Sequence, residues 1–362
     1  MKKLFRNGVL TCVAMATALS FASCSDDDPK GPDPDFPKDS KGVYVMTQGS
    51  EKDKIEGMLS FIDYDSQTVF NDVFTNVNKQ SLGNSPQCGI VYDEHVYLGI
   101  FSSGIVWVLD KDNKIVKKLE VSGKNQGPRS FAAQGGYVYA SLYDGHVIKI
   151  DAKTFEVAGT LTVGPNPETM CIYNGYLYVP NSDGVNSWTT NEYGKTATKI
   201  NLSDFTVAGD IAVPENPSKF FVVDGKLYLL SMGNYGDVNA SIYKAENDQF
   251  TKVIDATMVD AAGETMYIAN YPFNNNSVKE FKKYNVRTGV ASDWNVPEVI
   301  YPGSIAADPI TGNVFVASYV MNGSWPSYTA PGFICQYSAS GAFVKKYDIG
   351  VGPAAIFFNL GD

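Results

Sequence analysis

Pro128-Arg129-Ser130-Phe131, Gly135-Gly136-Tyr137-Val138-Tyr139-Ala140, His146-Val147-Ile148-Lys149-Ile150-Asp151 and Thr160-Leu161-Thr162-Val163-Gly164 follow one another closely along the chain. Each run has strand length, is rich in β-branched and aromatic residues, and is bounded by turn residues. The next segment repeats the order: Pro167, then Asn174-Gly175-Tyr176-Leu177-Tyr178-Val179, then Thr198-Lys199-Ile200-Asn201, then Ile211-Ala212-Val213. A third copy has Pro217, Asp224-Gly225-Lys226-Leu227-Tyr228-Leu229 and Ser241-Ile242-Tyr243-Lys244. Upstream, Pro86, His95-Val96-Tyr97-Leu98 and Val106-Trp107-Val108-Leu109-Asp110 form another, and weaker copies fill residues 257–300 and 301–350. A repeat of roughly forty residues with four short strands predicts one four-stranded propeller blade per copy. The Asn-Gly and Asp-Gly pairs supply the positive φ of a tight hairpin between the first two strands.

The ends complete the count. Gly42-Val43-Tyr44-Val45-Met46 matches a second strand whose first strand is missing, and Gly352-Pro353-Ala354-Ala355-Ile356-Phe357-Phe358 matches a first strand and stops. The expectation is an all-β, seven-bladed β-propeller whose ring is closed by the C-terminal strand, which removes an open sheet edge.

One face of such a ring carries the tight hairpins. The other carries the loops between second and third strands, and these are unequal. Blades two and three have minimal turns at 101–104 and 142–145. Blades four to seven have long ones: 180–196 with Trp188 and Tyr193, 231–240 with Tyr235, 270–278 with Tyr271 and Phe273, and 318–333 with Tyr319, Trp325 and Tyr328. A blade needs only a short turn, so long loops with polar-tipped aromatics read as a ligand-binding rim. Packing of these rings on one another, to order the loops, is the competing reading. Gln87, Arg129 and Glu168 follow the recurring prolines and fall at the mouth of the central channel. Arg129 and Glu168 sit on adjacent blades, where they either pair with each other or meet a ligand.

Catalytic signals are sparse. His95 and His146 are the two histidines, and neither has a partner at metal or triad spacing. Asp110-Lys111-Asp112-Asn113 lacks the glycine and glutamate of a calcium loop and reads as a turn. No metal, cofactor or catalytic residue is assigned. Cys88, Cys171 and Cys335 have no paired spacing and read as buried strand residues.

The N-terminus addresses the compartment. Lys2, Lys3 and Arg6 precede a short apolar run that ends in Phe21-Ala22-Ser23-Cys24. This resembles a bacterial lipoprotein signal over residues 1–23, with Cys24 as the lipidated residue. An ordinary cleaved signal is the alternative. Ser25-Asp26-Asp27-Asp28 resembles the signal that sends lipoproteins of Bacteroidota to the outer face of the outer membrane. Residues 24–41, acidic and proline-rich, read as a tether, leaving 42–362 as the propeller domain. Loss of Lys2, Lys3 and Arg6 leaves 26 of 29 basic residues against 39 acidic ones, a net charge of −13. That balance argues against nucleic acid and anionic lipid surfaces as partners.

Gly42-Val43-Tyr44-Val45, Gln48-Gly49, Leu59-Ser60-Phe61-Ile62-Asp63 and Leu82-Gly83-Asn84 resemble the YncE-like propeller family, in particular surface lipoproteins of Bacteroidota. One branch of that family captures cobalamin at the cell surface and hands it to an outer-membrane transporter. The resemblance implies a non-enzymatic, surface-exposed binding lipoprotein, with a corrinoid as ligand and a TonB-dependent transporter as partner. A glycan- or protein-binding accessory lipoprotein is the second expectation, and a propeller lyase or hydrolase the third.

Overall fold

The computed structural model describes residues 41–190, 192–272 and 279–361. The signal, Cys24 and nearly all of the tether lie outside the described residues, as does Phe273. Twenty-eight strands form seven four-stranded antiparallel sheets. We letter the strands of each blade a to d from the channel outward. Blade three, for example, runs Pro128–Gln134, Tyr137–Leu142, His146–Asp151 and Val157–Thr162. Blade one takes strand b from Gly42–Thr47 and strand a from Pro353–Asn359, paired antiparallel with Tyr44 opposite Phe357. The seven blades and the C-terminal closure are therefore as the repeats predict.

The tight hairpins are also as expected. Asn174 and Gly175 take φ of 48° and 80°, and Asp224 and Gly225 take 49° and 69°. Two successive left-handed residues give the turn whose twist matches the flanking strands. The recurring prolines open strand a, and the register shifts directly after Pro86, Pro128, Pro217 and Pro302. Proline donates nothing to a ladder, so it is tolerated where pairing begins.

Strand b is buried along its length because a neighbouring blade covers each of its faces, whereas strand d is largely exposed. The apolar core is correspondingly divided into clusters that each join two adjacent blades. Tyr97, Val106 and Val108 of blade two meet Val138, Ala140 and Ile148 of blade three, for instance. Blade seven meets blade one in the same way, through Phe315 and Ile334 against Val43 and Val45.

Two short helices were not expected from the sequence. One, Val73–Asn78, follows blade one, and its Asn78 side chain bonds Asn113 and Ile115 of blade two. The other, Ser187–Thr190, lies in the long loop of blade four. The Asp110 carboxylate accepts from the backbone N–H groups of Asp112 and Lys114, which makes that segment a turn, as read. Cys88 and Cys335 are buried as expected, but Cys171 is only half-buried. Burial pushes the Cys88 and Cys171 thiols up to about 12 and Cys335 to about 11.

Burial also raises Tyr44, Tyr64 and Tyr337 well above the ordinary phenol range, and Tyr319 to about 12. An unfolded tyrosine ionises near ~10. The unfolded chain therefore loses these protons first, and stability is complete below that pH and falls as pH rises toward 12. The urea midpoint is expected to be lower at pH 11 than at pH 8. Equal midpoints would show that these phenols are not linked to folding.

Candidate functional site

The channel mouth is built by residues that follow the strand-a prolines. Arg129 donates through Nε and Nη2 to one carboxylate oxygen of Glu168, at 3.0 and 2.7 Å, and through Nη1 to Gln87 Oε1. The three side chains thus join blades two, three and four. The guanidinium also lies 5.5 Å from the Phe101 ring centroid and 5.1 Å from that of Tyr143, and the two rings meet edge-on. Glu168 is positioned from its backbone: its carbonyl accepts from the hydroxyls of Ser130 and Ser141, at 3.2 and 3.0 Å. Burial pushes the Glu168 carboxyl up, against the pull of Arg129 and Ser182. Glu168 in turn holds the Arg129 guanidinium in its charged form. A second ion pair joins blades five and six, with Lys219 3.0 Å from Asp260, whose other oxygen accepts from Ala307 N–H at 2.9 Å.

The rim residues divide by environment. Trp188 and Trp325 are 89% and 63% exposed, on the long loops of blades four and seven. Trp325 projects from a two-residue-stranded hairpin, Met321–Asn322 paired with Trp325–Pro326. Tyr193 and Tyr235 are brought together across blades four and five, ring centroids 5.7 Å apart. Tyr328 is 60% exposed and touches Tyr319, which touches Tyr301. Tyr271 differs from these. Its ring lies 5.3 Å from Phe281, half-buried against the core between blades six and seven, so packing accounts for it in part.

Phe101 and Tyr143, which flank Arg129 at the channel mouth, are not singled out by the sequence reading. Both directly follow strand b, in adjacent blades, and an aromatic repeated at that position was the available signal. Tyr301, Met232, Val238 and Met258 also line this face, but nothing in their sequence context marks them. His146 does have a carboxylate beside it, Asp144 at 2.9 Å, while His95 packs on Phe155 at the hairpin face. Among the described residues no group of three or more His, Cys, Asp or Glu is placed to hold a metal, and no helix is long and apolar enough to cross a membrane.

No family model matches the chain, and no curated protein matches it in sequence. Solved structures match its fold. A Bacteroides uniformis protein provisionally assigned as a 6-phosphogluconolactonase superposes with a TM-score of 0.62 at 11% identity, over 89% of this chain and 100% of its own. A functionally unknown protein from Desulfotomaculum acetoxidans gives the same values. A streptogramin B lyase gives 0.53 at 13% identity, over 74% of this chain and 83% of its own. Likeness at such identity carries the fold alone, and propellers serve many functions. By its strands, its inter-blade cores and these neighbours, the chain is a seven-bladed β-propeller.

Proposed function

We propose that this protein is a non-enzymatic, surface-exposed lipoprotein that captures a ligand on its loop-rich face, with a corrinoid as that ligand and a TonB-dependent outer-membrane transporter as its recipient. The observation that carries the binding role is the exposure of Trp188 and Trp325 on two of four consecutive long loops, opposite a face of minimal hairpins. Large aromatics left in water on one rim are costly unless something covers them. Tyr193, Tyr235 and Tyr328 extend that surface, and their hydroxyls with nearby Asn side chains suit a ligand with an apolar body and amide periphery. The corrinoid itself rests on the family resemblance. The carboxylates at the channel mouth favour binding over catalysis, because Glu168 and Asp260 are each engaged by a cation. Gln87, Arg129 and Glu168 then act as the floor of the site.

Titration calorimetry of the acyl-free protein with cyanocobalamin tests the reading. One-to-one heat at micromolar affinity, about −8 kcal/mol, is the expected result. No heat up to ~0.1 mM would remove the corrinoid. Replacing Trp188, Tyr235, Trp325 and Tyr328 together by Ala is expected to weaken binding at least ~100-fold, about 2.7 kcal/mol, which one or two anchor side chains among the four would supply. Trp188→Ala and Trp325→Ala alone should leave the melting temperature the same, because these two side chains are 89% and 63% exposed. A second reading, glycan capture, is favoured by the same two tryptophans, which offer flat faces to a sugar ring. An oligosaccharide titration that succeeds where cyanocobalamin fails would establish it.

A further inference from the structure

Described residues of blades five and six and the start of blade seven border an open hollow of about 130 Å³ on the loop-rich face. Met232, Tyr235, Val238, Met258, Tyr271 and Tyr301 are the side chains that shape it. We infer that this hollow is a subsite for a neutral apolar ring, of about the size of benzene, carried by the captured ligand. The inference deepens the binding role proposed for this face and rests on it.

The lining chemistry selects the occupant. Among the described residues, no charged side chain borders the hollow. The Thr257 hydroxyl at its edge is already engaged: it donates to the Ala269 carbonyl and accepts from Tyr271 N–H, at 3.1 and 3.0 Å. Asn239, also at the edge, directs its amide away to Asp255, at 3.2 Å. A charged group entering would lose its water and meet no opposite charge in the lining. An apolar ring would meet three aromatic rings and two thioethers, which adapt to irregular shapes and make favourable sulfur–aromatic contacts. The volume fits as well, since apolar cavities of about 150 Å³ take up benzene. Farther out, the cleft between blades five and six is larger and polar, bordered by Asp237, Asp255, Glu280 and Lys282. The face therefore offers an apolar socket beside a polar margin.

The wall formed by blade five is preorganised. Gly233 takes φ of 60°, and a Cβ there would lie 2.0 Å from the Val238 carbonyl oxygen. Only glycine permits this approach. Asn234 closes the segment, its backbone N–H donating to the Val238 carbonyl and its side-chain oxygen accepting from Gly236 and Val238 N–H, both at 2.9 Å. Tyr235 and Val238 are thus held at the mouth before any ligand arrives, which lowers the ordering cost of binding.

Fluorine NMR of the acyl-free protein tests the subsite with two probes of matched size, 4-fluorobenzyl alcohol and 4-fluorobenzoate. The alcohol is expected to broaden at millimolar concentration, and the benzoate to bind at least tenfold more weakly. Val238→Asp, at a side chain 37% exposed, should weaken the alcohol at least tenfold, while Val116→Asp on the outer strand of blade two should not. Equal responses of the two probes on the unmodified protein would overturn the inference, whether or not a variant folds. So would broadening by neither probe, or a folded Val238→Asp protein that still binds the alcohol. The cyanocobalamin titration fails separately. Alcohol binding without cyanocobalamin binding removes the corrinoid and keeps the socket, and the converse keeps the corrinoid and removes the socket.

Discussion

A chain truncated after Gly352 is expected not to fold. The truncation removes Pro353–Asn359, which is strand a of blade one and pairs with Gly42–Thr47 along its length. Its loss exposes the inner edge of blade one and opens the ring. It also removes Phe357, which stacks on Tyr44 at 5.1 Å and occupies the space beside Gly89, where a Cβ would lie 2.2 Å from the ring. Phe357→Ala alone is expected to cost about 3–5 kcal/mol, the usual loss for a buried phenylalanine. Removing the whole strand exceeds the roughly 5–15 kcal/mol that holds a typical domain together. The measurements are size-exclusion chromatography and urea unfolding. The truncated chain should aggregate and lack a cooperative transition, whereas Phe357→Ala should shift the midpoint with the slope unchanged. A truncated protein with a normal transition would mean that the ring does not depend on its closure.

Replacing Glu168 by Ala is expected to destabilise the protein by about 3–5 kcal/mol, because it leaves the Arg129 charge buried without its partner. The two side chains are only 26% and 14% exposed, so solvent screens the pair weakly. Replacing both residues by Met should cost far less, or nothing, because no charge is then left unpaired and the space is refilled. The Phe101 and Tyr143 rings that now flank the guanidinium would pack on the methionine instead. Urea unfolding of Arg129→Met, Glu168→Met and the double Met variant gives the coupling directly. A Glu168→Ala protein of normal stability would show that the pair does not hold blades three and four together, and would make ligand contact its main role.

Much of the fold was legible because a propeller is a local repeat. The Asn174-Gly175 and Asp224-Gly225 turns, the prolines opening strand a, and the half-blades at the two ends each carry their meaning in a few adjacent residues. The helix Val73–Asn78 was not legible. Its N-terminal flanking residue Asp72 makes no side-chain cap, its first turn has no acidic residue, and it is held by Asn78 bonding to a turn of the next blade. The candidate site is read from the sequence as a face and not as a set of contacts. Loop length and aromatic content placed Trp188, Tyr193, Tyr235, Tyr271, Trp325 and Tyr328 on one rim. Their separate environments, with Trp188 in water and Tyr271 against Phe281, depend on what each loop folds back upon.

The amino-acid sequence by itself determined the blade, the number of blades and the manner of closure, because strand period, turn chemistry and repeat spacing act over neighbouring residues. Only the tertiary structure decided that Arg129 joins both Glu168 and Gln87, and that residues from three blades border an apolar hollow. Those groups come from segments far apart in the chain, and closing the ring is what brings them within contact distance.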